Sequence, residues 1–159
     1  MEEPVVGSLA VIKPDRLRWE DKTSQTTQIL NGKEYWEISK TPRRPSRTVI
    51  YRPDVSRGLG QTSFAILAGK GKFQDFYTVK FKSETPKEAV LQFTPHGETS
   101  ETLIAKIDKN GYVLRSLTTD SQDSRVVVEF KNIQRNPALD KKLFQYEKEE
   151  NDVFQTRKD

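Results

Sequence analysis

The chain has 159 residues, 33% hydrophobic and 31% charged, with a formal net charge of +4. That length suits one domain with a real core under a heavily charged surface. The mild basic bias, with both signs mixed along the chain, argues against a nucleic-acid footprint; the absence of cysteine excludes disulfides and thiolate metal sites, and no apolar run approaches the ~20 residues of a membrane span.

Gly7–Ile12 is apolar and strand-like, and Lys13-Pro14-Asp15 is a corner, because proline lacks a ladder donor and disfavours helix before it. Arg16–Glu20 alternates strictly, which predicts a half-buried strand. Leu9, Val11, Leu17 and Trp19 then fall on one side of the chain, and Arg16, Arg18 and Glu20 on the other. Asp21–Gln25 is a polar loop and Thr26–Leu30 a β-branched strand. Asn31-Gly32 is a strong hairpin signal, after which Glu34–Ile38 returns. A proline-rich basic loop, Thr41–Ser46, precedes a short strand at Arg47–Tyr51 and a loop at Arg52–Gly60. Gln61–Ala68 (QTSFAILA) is the best helix candidate, capped by Thr62 or Ser63 and ended by Gly69. It carries Phe64, Ile66 and Leu67 on more than one side, so it must lie against something apolar.

From Phe73 the pattern is antiparallel β. Phe76–Lys82 sets Tyr77, Val79 and Phe81 against Thr78, Lys80 and Lys82. Ala89–Thr94 aligns Leu91 with Phe93, and Thr102–Asp108 aligns Leu103, Ala105 and Ile107. A second hairpin turn, Lys109-Asn110-Gly111, leads into Tyr112–Thr118; the polar turn Thr119–Ser124 leads into Arg125–Lys131, with Val126, Val128 and Phe130 aligned. Asn136–Phe144 reads as a short helical turn, Gln145–Glu147 as a last short strand, and residues 148–159 as a charged, flexible tail. About ten strands with hairpin connections imply a meander. A wide antiparallel sheet curls through its own twist into an incomplete barrel, polar residues to water and apolar ones on the concave side.

Little in the sequence supports catalysis. His96, the only histidine, sits in Pro95-His96-Gly97-Glu98 with no partner cluster, and reads as a solvated turn residue before it reads as a general base or ligand. No His/Cys/Asp/Glu set has zinc-site spacing. Glu2-Glu3 and Glu149-Glu150 lie in mixed-charge runs typical of solvated tails. Gly69-Lys70-Gly71-Lys72 lacks the leading glycine of a phosphate loop and follows a helix candidate where it should open one, and no Gly-x-Ser-x-Gly elbow occurs. Arg43, Arg44, Arg47, Arg52 and Arg57 form a basic cluster that reads equally as a surface for an anionic partner or as a soluble, charge-rich loop. Tyr77 and Phe81 alternate with lysines, without the glycine-aromatic pattern of an RNA-binding sheet.

Local patterns in a fixed order resemble the periplasmic carriers of outer-membrane lipoproteins, the LolA family. They are Gly7-Ser8-Leu9 through Lys13-Pro14-x-x-Leu17-x-Trp19; Asn31-Gly32-Lys33-x-x-Trp36; Gln61-Thr62-Ser63-Phe64-Ala65-Ile66-Leu67; and Phe130-x-Asn132-Ile133-x-x-Asn136-x-x-Leu139 followed by Phe144-x-Tyr146. The resemblance runs from residue 7 to about 146. It implies a mainly β (α+β) fold: one strongly curved antiparallel sheet forming an incomplete β-barrel, with short helices as a lid over a hydrophobic cavity, in a single domain over residues 1–159. The cavity would hold lipoprotein acyl chains, received from an inner-membrane lipoprotein-releasing transporter and passed to an outer-membrane receptor or membrane, with no cofactor, no catalysis and no nucleic acid.

On that resemblance Leu9, Val11, Leu17, Trp19, Trp36 and Ile38 form one cavity wall facing the cargo. Phe64, Ile66 and Leu67 match the lid or wall helix. The aligned faces of the second half supply Tyr77, Val79, Phe81, Leu91, Phe93, Leu103 and Ile107. Lys13 stands where the family keeps a lid-latching arginine; lysine still donates, but as a flexible point charge without the planar fork. The family also has an amphipathic helix and a first strand, behind a signal peptide, ahead of the Gly-x-Leu strand; only six residues stand there here, Met1 being followed directly by acidic residues and Pro4. The expected setting is the periplasm, with a leader upstream, and the expected state a monomer. Rival expectations are the lipid-anchored outer-membrane receptor of the same fold, whose N-terminal cysteine has no counterpart here, and a solid β-sheet interaction module without a cavity.

Overall fold

The computed structural model describes residues 5–13, 15–55, 77–97 and 101–158. In chain order its strands are β1 (Gly7–Ile12), β2 (Arg16–Asp21), β3 (Thr26–Asn31), β4 (Glu34–Lys40), β5 (Arg47–Arg52), β6 (Tyr77–Glu84), β7 (Glu88–Pro95), β8 (Thr102–Asp108), β9 (Val113–Asp120), β10 (Arg125–Glu129) and β11 (Val153–Thr156). A 3-10 turn, Lys141–Phe144, precedes β11. The strands form a six-stranded sheet, β1-β2-β3-β4-β5-β11, and a five-stranded sheet, β10-β9-β8-β7-β6. The first belongs to one compact unit together with the C-terminal segment from Ala138, and the second to another ending at Pro137.

Two sheets thus stand where one continuous curved sheet was predicted. The reason lies in β11, which pairs parallel with β5 from Val153↔Thr48 to Thr156↔Tyr51. It takes the edge of β5 on which a continuing meander would have laid its next strand. The same observation corrects the C-terminus. Residues 145–147 form no strand, and part of the tail expected to be flexible is an ordered edge strand, extended by Arg157 donating its N–H to the Tyr51 carbonyl at 2.8 Å.

Local chemistry explains the hairpins. The β3–β4 loop is Gly32-Lys33, flanked by the Asn31↔Glu34 pair, with Gly32 at φ +66°. Positive φ at the first central position suits a type II′ turn, where glycine avoids the Cβ penalty. After β2, the Asp21 carboxylate accepts from the N–H groups of Thr23 and Ser24, both at 2.9 Å, which closes the polar loop before β3. The Asp108 carboxylate does the same for Asn110 at 2.9 Å ahead of Gly111. Gly7 is required by close approach: a Cβ there would collide with the Glu20 carbonyl across the β1–β2 ladder.

The antiparallel register assigns every side chain to a face. In the six-stranded sheet, Leu9↔Trp19, Val11↔Leu17 and Leu17↔Leu30 lie on one face. Ile29↔Trp36, Trp36↔Tyr51 and Ile38↔Val49 lie on the other. Each face has its own core. Leu17 and Leu30, 1% and 2% exposed, are surrounded by Leu9, Val11, Trp19 and Val55. Ile29, Ile38 and Val49 are packed by Trp36 and Tyr146. Each buried aliphatic contributes roughly 1.5–3 kcal/mol.

The C-terminal segment covers the second face. Asp140 caps the 3-10 turn by accepting from the Lys142 N–H at 3.0 Å, and Phe144 is fully buried. Arg18 donates to the Leu143 carbonyl at 3.0 Å and pairs with Glu20 at 2.6 Å. Tyr146 then stacks on Trp36, centroids 6.5 Å apart, and Phe154 meets both Tyr51 and Tyr146 at 5.9 Å. In the five-stranded sheet, Val79↔Phe93, Phe93↔Leu103, Leu91↔Ala105 and Ala105↔Leu117 share one face, and Gln92↔Ile104, Thr118↔Val127 and Ser116↔Glu129 the other.

Candidate binding faces

The predicted wall residues of the first unit divide into two groups. Leu9, Val11, Leu17 and Trp19 do share a face, as their alternation predicts. Trp36 and Ile38 do not join them, because β3 pairs in a register that turns both onto the opposite face, under Tyr146. The six residues therefore do not form one wall. On the first face, Leu17 and Leu30 are sealed, whereas Leu9, Val11 and Trp19 stay partly accessible.

In the second unit all seven predicted residues fall on one apolar face, with a gradient of exposure along it. Tyr77, Phe93 and Leu103 are buried, Leu91 and Ile107 half-buried, and Val79 and Phe81 are 39% and 69% exposed. Tyr77 packs edge-on against Phe93, centroids 6.1 Å apart. Its hydroxyl is buried and has no hydrogen-bond partner among the described residues. Burial, and after it the Glu101 charge, push that hydroxyl's pKa up, so it stays a neutral donor in neutral solution. Phe64, Ile66 and Leu67 lie outside the described residues, as do the Gly69–Lys72 segment and Arg57.

The reverse face of this sheet holds a groove of about 510 Å³ that the sequence did not point to. Val90, Ile104 and Val127 form its apolar lining, with Ser83, Ser116 and Thr118 among them; Lys82, Lys106, Arg125 and Glu129 supply the charge. It is an open, cation-rich concavity on the face opposite the predicted cavity residues.

Lys13 is exposed in the turn between β1 and β2. His96 is exposed as well, its Nε2 3.2 Å from the Thr78 hydroxyl. The basic cluster is not one free patch. Arg47 is committed to the C-terminal segment: its Nε and one terminal nitrogen each lie 2.8 Å from the Asp152 carboxylate, and the same nitrogen reaches the Glu147 carbonyl at 3.0 Å. Asp152, its side chain 2% exposed, also accepts from the Tyr146 hydroxyl and from the Glu149 N–H at 2.9 Å. The Arg47 hydrogen bonds hold its carboxyl well below the usual carboxylate range, aided by Tyr146 and Glu149 against the opposing effect of burial. Burial, and then the bond to Asp152, push the Tyr146 hydroxyl up to about 12. Reading the tail as charged and loose missed this clasp; the available signal was Val153-Phe154-Gln155-Thr156, a short β-forming run inside the charged tail.

Apolar residues left accessible on a sheet face mark that face as an interaction surface. The chain matches the family described as outer membrane lipoprotein carrier protein LolA over residues 2–147, and it belongs to that family. It is similar to the outer-membrane lipoprotein carrier proteins of Dechloromonas aromatica (strain RCB), 26% identical over 142 residues, and of Nitrosomonas europaea, 27% over 143. That of Haemophilus influenzae is 30% identical over 146 residues. The matches cover 88–90% of this chain, which spans about two thirds, 66–67%, of the length of these curated relatives.

Proposed function

We propose that the chain is a non-enzymatic periplasmic carrier that takes the acyl chains of lipoproteins on its apolar sheet faces and delivers them to the outer membrane. The observation that carries this reading is the accessible apolar surface beside each buried core: Leu9, Val11 and Trp19 next to Leu17 and Leu30, and Val79 and Phe81 next to Phe93 and Leu103. Such surface binds hydrocarbon at about 0.8 kcal/mol per buried CH₂ without specific polar contacts, and a partly open face can also release it. The carrier names of the relatives support the cargo. Within this proposal the faces act as lining of an incomplete barrel, Phe64, Ile66 and Leu67 contribute to a lid, Lys13 latches it, and the exchange partners are an inner-membrane transporter and an outer-membrane receptor. Trp36 and Ile38 are left out of the lining and assigned to the C-terminal core.

A fluorescent fatty-acid titration tests the proposal. Saturable binding is expected, and Trp19→Glu or Phe81→Glu should weaken it at least about tenfold, since a carboxylate placed against hydrocarbon costs more than the 1.4 kcal/mol that tenfold represents. Unchanged circular dichroism would show that the fold survives. A folded wild-type chain without saturable binding would overturn the reading.

A further inference from the structure

We infer that β10 is a docking edge for a second copy of this chain, pairing antiparallel with its own counterpart about a two-fold axis at Val127. β10 ends the five-stranded sheet, and no described strand pairs with its outer side. Its direction of hydrogen bonding follows from two flanking bonds to the β9 side: Ser121 donates to the Ser124 carbonyl and Phe130 to the Arg115 carbonyl, both at 2.9 Å. In an antiparallel ladder bonded positions alternate. Val126 and Val128 therefore turn their backbone groups inward to Thr119 and Leu117, and Arg125, Val127 and Glu129 turn theirs outward.

The exposed row is self-complementary. Arg-Val-Val-Val-Glu laid antiparallel on itself places Val127 against Val127 and Arg125 against Glu129 of the copy, so each outward N–H meets a carbonyl. Val126 then meets Val128 of the copy on the other face. Val126 and Val127 are each 54% exposed, surface this pairing would cover. Arg125 has no ion-pair partner among the described residues, and the exposed contact of Glu129 with Lys131 is a loose 3.9 Å. The opposite edge of the sheet contrasts with this one. β6 carries an irregularity between Phe81 and Ser83, with Lys80 and Lys82 along it, which are devices that discourage strand addition. β10 has no bulge, proline or lysine. The inference departs from the monomer expected of the chain and does not depend on the acyl-carrier reading.

Sedimentation velocity over a concentration series from about 1 μM to 1 mM tests it. The weight-average mass should rise from 18.3 kDa toward twice that value. R125E and E129R each place two like-charge pairs at the symmetric interface and should weaken the dimer by about tenfold. Mixing the two single variants restores opposite charges at both contacts, so the mixture should associate as well as wild type. A wild-type chain that stays monomeric throughout overturns the proposal, as it would if the edge served an extended segment of a different protein. Single variants that dimerise like wild type, or a mixture that does not recover, overturn it too.

Discussion

Trp19 and Trp36, separated in the sheet by β3, face opposite ways and answer to different experiments. Trp19 borders the Leu17–Leu30 core and keeps accessible surface, whereas Trp36 is stacked between Tyr51 and Tyr146. Trp36→Ala should cost roughly 2–4 kcal/mol in urea unfolding, toward the low side of aromatic truncations because the ring is half-buried. Trp19→Glu should act on acyl binding far more than on the fold. Leu17→Ala should destabilise by about 2–5 kcal/mol, since its side chain is sealed. Tyr77→Phe removes a buried hydroxyl that has no partner among the described residues and should leave stability unchanged or raised. If that hydroxyl serves the carbonyl of a bound ester, the same change should weaken binding of an ester-bearing lipid by about 2–10-fold and leave a plain alkane probe unaffected. The one-sidedness of Leu9, Val11, Leu17 and Trp19 was legible because alternation within a strand fixes the face. The position of Trp36 was not, because a strand's face relative to its neighbours depends on ladder register, which alternation within one strand cannot specify.

The C-terminal segment is a clasp with a defined response to acid and base. The Asp152 carboxyl is held below its ordinary range in the folded chain, so its stabilising contribution is complete above the unfolded value of about 3.9 and is lost as pH falls below that toward the folded value. The Tyr146 hydroxyl, pushed up to about 12, makes the opposite contribution: stability is complete below the unfolded value of about 10 and declines as pH rises between the two. Thermal unfolding across pH should therefore show an acid arm below about pH 4 and an alkaline arm above about pH 10. Asp152→Asn should flatten the acid arm, lower stability near neutrality and leave β1–β4 exchange protection largely intact; an unchanged acid arm would remove the clasp from the account. The hairpins were legible because Asn31-Gly32 and Asp108-x-Asn110-Gly111 are local signals. β11 escaped notice because four residues pairing parallel with a strand about a hundred positions earlier leave little local trace.

For the whole molecule, the mainly β character followed from strand alternation, while the division into two sheets followed from the partner that β5 takes. Alternation states that a strand exists; it does not state which edge it joins. The two sheets also place their apolar faces differently from the single wall anticipated. In the six-stranded sheet one face is closed by the chain's own C-terminus, and the other retains accessible surface around Trp19. On the apolar face of the five-stranded sheet, Val79 and Phe81 on β6 and Val126 on β10 are accessible. A carrier needs surface that hydrocarbon can reach and also leave, and these positions meet that need better than the sealed cores. Photo-cross-linking of a triacylated lipopeptide, with a photoreactive phenylalanine analogue placed in turn at positions 19, 81 and 36, tests this assignment most directly. The account predicts acyl adducts from positions 19 and 81 and background labelling from position 36. Adducts at position 36 equal to those at 19, or none at 19 and 81 in a folded chain, would contradict it.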